Sequence, residues 1–317
     1  MRTSQAEKLL KIINGAVGDF IEATPSVEAS VMRSFNQLLR EFDTVGDTLK
    51  VSVKNLRLVA KLRAELETAF FDNPKYQSSM QKYLASFEEV SALQSSYFAT
   101  ISEGFTGSAL LKELERQTVD ATLYGLTRGS MASNVIDPVL DILRENITTG
   151  TSYQSLSKQV TTFIKGDAKN LGHIERYVQQ ISTDALNQFS AQYMETVTND
   201  LGLEWFIYDG NLIDATRPFC RALFNKRYYH KLEIPKMIKG QVGDVKVPLY
   251  AKTGLPQGFI PSTNKKNFNI YRGGYNCRHQ PIPVPESKIP KDIRVKTYKK
   301  FNIPYDKKGY RKGGLIM

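Results

Sequence analysis

Leu201-Gly202-Leu203-Glu204-Trp205-Phe206-Ile207-Tyr208-Asp209-Gly210 marks the point where the chain changes character. Trp205-Phe206-Ile207-Tyr208 is a run of β-formers closed by an Asp209-Gly210-Asn211 turn, so a short strand is expected there. Upstream, residues 1–200 contain only Pro25, Pro74 and Pro138, and apolar residues recur at helical spacing, as in Leu56, Leu58, Val59, Leu62, Leu66, Ala69 and Phe70. Thr24-Pro25 reads as a helix start with Thr24 as cap, Asp72-Asn73-Pro74 as a break, and Asp137-Pro138 as a second capped start. Ser152 is expected to cap a helix from Tyr153, and a long helix is expected from about Asn170 to Asp200, closed by Gly202.

Downstream of the strand, Thr216 is expected to cap a short helix through Leu223, and Val245-Lys246-Val247 and Phe268-Asn269-Ile270-Tyr271 read as short strands. The expected fold class is α+β. A helical N-terminal region (1–120) and a second helical part (121–202) precede a small α+β module (203–285) and a basic C-terminal tail (286–317).

Charge divides along the same line. Residues 1–200 carry 20 Lys and Arg against 24 Asp and Glu, whereas residues 201–317 carry 23 against 8. Only the second part attracts a polyanion or an acidic partner. No apolar run reaches the length of a membrane span, and Leu9-Leu10-Lys11-Ile12-Ile13 is too short and too broken for a secretory signal. The expected location is the cytoplasm or a particle assembled in it.

Two blocks downstream of the strand are more specific. One is Asp214-Ala215-Thr216-Arg217-Pro218-Phe219-Cys220-Arg221-Ala222-Leu223. The other is Gly273-Gly274-Tyr275-Asn276-Cys277-Arg278-His279-Gln280, ending in Pro281-Ile282-Pro283-Val284. In this order, behind the Gly150–Val160 turn and helix and the long helix that follows, they resemble the C-terminal module of the phage Mu F-like minor head proteins. The resemblance covers roughly residues 120–285. It implies a structural, non-enzymatic component of a tailed-phage virion. Such a protein is bound at or near the portal, in contact with portal or major capsid protein, in several copies that can form a ring. It acts in head assembly and contacts packaged double-stranded DNA or aids its ejection.

The chemistry-bearing residues are few. Cys220, Cys277 and His279, with His230 as a fourth, offer a tetrahedral zinc donor set. Where many relatives of that family carry Cys-Arg-Cys, this chain has Cys277-Arg278-His279, which exchanges one zinc-ligating type for another. Two other readings stay open: plain buried thiols with a hydrogen-bonded histidine, and a disulfide formed in the released particle.

Arg217, Arg221, Arg272 and Arg278 flank the blocks and suit carboxylate or phosphate equally. In the tail, Lys296, Lys299, Lys300, Lys307, Lys308, Arg311 and Lys312 alternate with aromatics. On a flexible segment they would neutralise DNA phosphates or lie on an acidic portal or shell surface. Two non-virion readings follow from the same residues: a general DNA-binding protein, and a Cys/His-dependent enzyme or toxin-like module. Gly273-Gly274 lacks the lysine and helix of a phosphate-binding loop.

Overall fold

The computed structural model describes residues 4–275, 277 and 279–313. The chain is α+β, and it divides into two compact units, both discontinuous in sequence: Asn14–Ser86 with Gln117–Thr183, and Met1–Ile13 with Phe87–Arg116 and Asp184–Met317. These units do not follow the linear division expected from composition. Residues 203–285 and 286–317 fall in one of them together. Among the described residues, no helix is long and apolar enough to cross a membrane.

The helical region contains α1 (Ser4–Ile21), α2 (Thr24–Leu39), a two-residue hairpin of β1 (Thr44–Val45) and β2 (Thr48–Leu49), α3 (Val53–Phe71), α4 (Pro74–Ile101), α5 (Ala109–Thr127), α6 (Asp137–Thr149), α7 (Tyr153–Lys165) and α8 (His173–Asp200). The apolar stripe read on α3 is its buried face: Val59, Leu62, Leu66 and Phe70 are each at most 1% exposed. Burial of such side chains contributes about 1.5–3 kcal/mol each.

The break at Asp72-Asn73-Pro74 is made by Asn73, whose side-chain oxygen accepts from the backbone N–H groups of Lys75 and Tyr76 at 3.1 Å. Ser152 caps α7 by accepting from Ser155. Two expected caps differ. α2 starts one residue earlier than read, with Ala23 in the cap position and Thr24 donating to the Ile21 carbonyl instead. Asp137 caps nothing, because a π-turn over Ala132–Ile136 runs straight into α6. The carboxylate of Asp137 pairs with Arg63.

After α8, Gly202 adopts φ +64°, and the N–H of Leu203 closes the helix on the Thr198 carbonyl at 2.9 Å. The chain then enters β3 (Trp205–Asp209), the central strand of a three-stranded antiparallel sheet. Its neighbours are β4 (Tyr228–His230) and β7 (Gln280–Val284). Between them lie α9 (Pro218–Lys226), α10 (Ile234–Ile238), the β5 (Gln241–Val242)–β6 (Val245–Lys246) hairpin and α11 (Phe268–Tyr271); α12 (Lys291–Lys300) follows the sheet.

Every residue of β3 is buried, so side-chain alternation sorts two cores. Phe206 and Tyr208 face a cluster that includes Phe219, Cys220, Tyr229 and Phe268. Trp205 takes the opposite face.

Three expectations are corrected here. Thr216 does not cap α9: Arg217 holds that position without a side-chain bond, and the Thr216 hydroxyl accepts from Ile213 N–H instead. Phe268–Tyr271 is a helical turn and not a strand; the N–H groups of Tyr271 and Arg272 close back on Asn267 and Phe268, and among the described residues no strand pairs with it. Residues 286–313 of the basic tail are not a flexible segment. Tyr298 on α12 is 1% exposed and its hydroxyl accepts from the Trp205 indole N–H at 3.2 Å, while Arg294 lies 3.8 Å over the Tyr310 ring. Aromatics interleaved with the lysines give this segment an apolar face, and that face folds back on β3.

Candidate metal centre

The two sequence blocks meet beside β3. Pro218 starts α9 with the φ a first turn needs, and Cys220 falls on the buried side with Phe219 and Leu223. The loop after α11 carries Cys277 to the same place, and His279 follows immediately before β7. Arg217 fastens the two blocks together, donating to the carbonyl oxygens of Gly273 and, at 2.8 Å, of Tyr275.

Cys220 Sγ and Cys277 Sγ lie 3.8 Å apart, and Cys277 Sγ lies 3.8 Å from His279 Nδ1. One ligand atom from each of Cys220, Cys277 and His279 falls within 4.8 Å of the other two, so the three can hold a metal ion. Both thiols are free. Tyr208 closes one side: its hydroxyl donates to Cys220 Sγ at 3.5 Å, and its ring stacks parallel to His279 at 5.5 Å. Gly273 closes another, with φ +77° and no room for a side chain between its backbone and the two sulfurs.

The electrostatics separate the two thiols. The Cys220 S–H donating to Cys277 pulls Cys277 well below the ordinary thiol range, and His279 and Arg272 reinforce this against the cost of burial. Cys220 is pushed well up, first because it gives that hydrogen bond and then by burial. Burial also pushes the Tyr208 phenol up, which keeps it a donor. The two shifts run in opposite directions and favour ionisation of Cys277 over Cys220, and a bound cation would favour the thiolate form of both. His279 Nε2 is buried without a hydrogen-bond partner. A buried polar atom in that state calls for a partner such as a water or an ion, but the ring nitrogen that faces Cys277 is Nδ1, as the 3.8 Å contact shows.

Arg272 is part of the support. It is 3% exposed, donates to the carbonyls of Asn269 and, at 2.5 Å, His279, and lies 5.5 Å over the Tyr208 ring. Its charge is spent on holding the loop, so the expectation of phosphate contact for Arg217 and Arg272 does not fit their positions. Arg221 is exposed and makes a single bond, to the Ile213 carbonyl. Arg278 lies outside the described residues. Lys296, Lys299, Lys300, Lys307, Lys308 and Lys312 are exposed.

His230 is not the fourth ligand. It sits directly across from Trp205 in the β3–β4 register, and paired residues share a sheet face. That face is the one away from Tyr208 and the sulfurs. There His230 packs edge-on to Trp205 at 4.9 Å, and its Nδ1 accepts from the Leu232 N–H.

Sequence reasoning also passed over Glu204, which lies 3.5 Å from His230 Nε2 and 2.5 Å from Arg311. His230 first, and Arg311 after it, hold the Glu204 carboxyl down at about 2, from an ordinary value of 4.5. A depressed folded-state pKa stabilises the fold above the unfolded value, and that contribution is lost as pH falls from about 4.5 toward 2. Wild-type protein is therefore expected to lose more Tm over this interval than Glu204→Gln, measured by thermal melts at stepped pH. Parallel pH profiles of the two proteins would refute the pairing.

Comparison of the chain with known protein families, with curated proteins and with solved structures finds no match in any of the three.

Proposed function

We propose that this chain is a minor structural protein of a tailed-phage head, bound at or near the portal, in which Cys220, Cys277 and His279 hold a structural zinc ion. The observation that carries the reading is the meeting of the two blocks on which the resemblance to Mu F-like minor head proteins rests. Far apart in sequence, they are fastened by Arg217 and share one cysteine–histidine cluster. The sulfur spacing suits zinc, since Zn–S bonds of about 2.3 Å at a tetrahedral angle put two sulfurs roughly 3.8 Å apart; with three protein donors the fourth position would fall to water. Zinc would supply a clamp there, holding α9 to the loop before β7. The buried setting, with Gly273 and Tyr208 packed against the sulfurs, favours a clamp over a nucleophile, which needs room for a substrate. DNA contact falls to the exposed Lys299, Lys307, Lys308 and Lys312, which can neutralise phosphates without reading sequence.

The test is quantitative mass spectrometry of purified particles of the phage that encodes the chain, scaled to portal protein. A ring-bound component is expected at a few to about a dozen copies per portal ring. Absence from mature particles, with the protein free in the lysate, would overturn the reading in favour of an assembly factor, a DNA binder outside the virion, or an enzyme.

A further inference from the structure

A cleft of about 590 Å³ opens between α9, the β5–β6 hairpin and α12. Its floor is aliphatic, formed by Val242, Val247 and Ile293, and its rim carries Arg221, Lys246, Lys296 and Lys300. Two acids also line it, and both have partners. Glu233 is buried and bonded to Lys226 at 3.1 Å, and Asp244 stands 3.9 Å from Lys296. The rim therefore keeps a cationic excess around an apolar floor. The spacing of Ile293, Lys296 and Lys300 puts all three on one side of α12, so a single helix supplies both floor and rim.

We propose that this cleft is a docking site for an acidic peptide segment of a partner protein, whose apolar side chains enter the floor while its carboxylates meet the rim. Charge complementarity selects the acidic partner, and the floor selects a peptide over a nucleic acid. A phosphate backbone gains nothing from Val242, Val247 and Ile293. The aromatic ring in the lining, Tyr228, has the Arg227 guanidinium 5.6 Å from its centroid, so it does not offer bases an open platform. The volume is in the range of a pocket that seats a few side chains, well short of a groove for a duplex. The inference stands independently of the head-protein reading and of zinc. Under the head reading, the partner belongs to the portal or the shell.

The test uses the purified full chain and fluorescence anisotropy. The probe is a short labelled peptide of glutamates with leucines at every third and fourth position; the control has lysines in place of the glutamates. The acidic peptide is expected to bind and the basic one not. Lys296→Glu with Lys300→Glu is expected to weaken binding by about tenfold or more, and Ile293→Asp by about tenfold. Lys265→Glu, exposed and outside the cleft, is expected to change it by less than about twofold. Where Ile293→Asp lowers Tm, Ile293→Ala is read instead and is expected to weaken binding by about threefold or more. Absence of binding, binding indifferent to the α12 variants, or sensitivity to charge alone with both Ile293 variants neutral would each overturn the proposal. So would displacement of the peptide by an unlabelled duplex oligonucleotide, which would assign the cleft to nucleic acid.

Discussion

Gly273→Ala is expected to lower the melting temperature sharply and to abolish stoichiometric zinc binding, although it adds a single methyl group. The backbone there has φ +77°, and an added Cβ would stand 2.5 Å from Cys277 Sγ and 2.9 Å from Cys220 Sγ. A left-handed conformation costs a non-glycine residue roughly 1–2 kcal/mol, and forcing a methyl into a filled core costs about 1–3 kcal/mol more. Against a typical total stability of about 5–15 kcal/mol, this predicts a fall in Tm on the order of 5–10 °C. The sulfurs can relieve the clash only by parting, and that destroys the spacing a metal needs.

Zinc content per chain and Tm separate the claims. Wild type is expected to hold one equivalent of zinc, and Cys277→Ser to lose it without backbone strain. If Gly273→Ala leaves both quantities unchanged, the packing of this loop on the sulfurs is refuted. If wild type takes up no zinc while Gly273→Ala still melts early, the cluster is a metal-free cysteine pair and the zinc assignment falls. Gly274 is a poorer test, because a Cβ there would overlap the Gly258 carbonyl at 1.5 Å and disturb the whole loop.

What could be read in advance was local. Ser152, Asn73 and Gly202 act within a few residues of themselves, and each bounds a helix where the sequence placed the boundary. Trp205–Tyr208 was legible because a buried central strand needs nothing beyond a short run of β-formers between turns. The assignments that failed depend on distant partners. His230 has the right chemistry for a zinc ligand, but the register of β4 against β3 decides which face it takes, and a single strand does not record its register. Asp137 looked like a cap because the π-turn before it leaves no signature in composition. Phe268–Tyr271 has strand-forming residues, yet β7 and β4 already occupy both edges of β3. Donor chemistry offered Cys220, Cys277 and His279 as one cluster, but spacing alone joins nothing across the gap between the two cysteines.

The tail gives the second large effect. Tyr298→Ala is expected to destabilise the unit containing β3 by about 3–5 kcal/mol, as deletion of a buried aromatic does. The ring packs edge-on to Trp205 at 5.9 Å, and its hydroxyl both accepts from the Trp205 indole and donates to Glu286 at 2.7 Å. Glu286 also accepts from the backbone N–H of Arg311, so one carboxylate joins α12 to the segment behind it. Truncation opens a cavity beside Trp205 and leaves Glu286 without its tyrosine. Trp205 is the single tryptophan of the chain, so its fluorescence reports this site alone. Red-shifted emission and easier quenching by iodide are expected in Tyr298→Ala at temperatures below its melt. Tyr298→Phe keeps the ring and loses only the hydroxyl, so it should cost about 1–2 kcal/mol and leave the emission close to wild type. A flexible basic tail would predict silence in every one of these measurements. Silence would return residues 286–313 to that description and remove α12 from the cleft. A large Tyr298→Ala effect with a small Tyr298→Phe effect would show instead that the lysines of α12 are held at fixed positions, and an electrostatic surface can discriminate between partners only when its charges do not move.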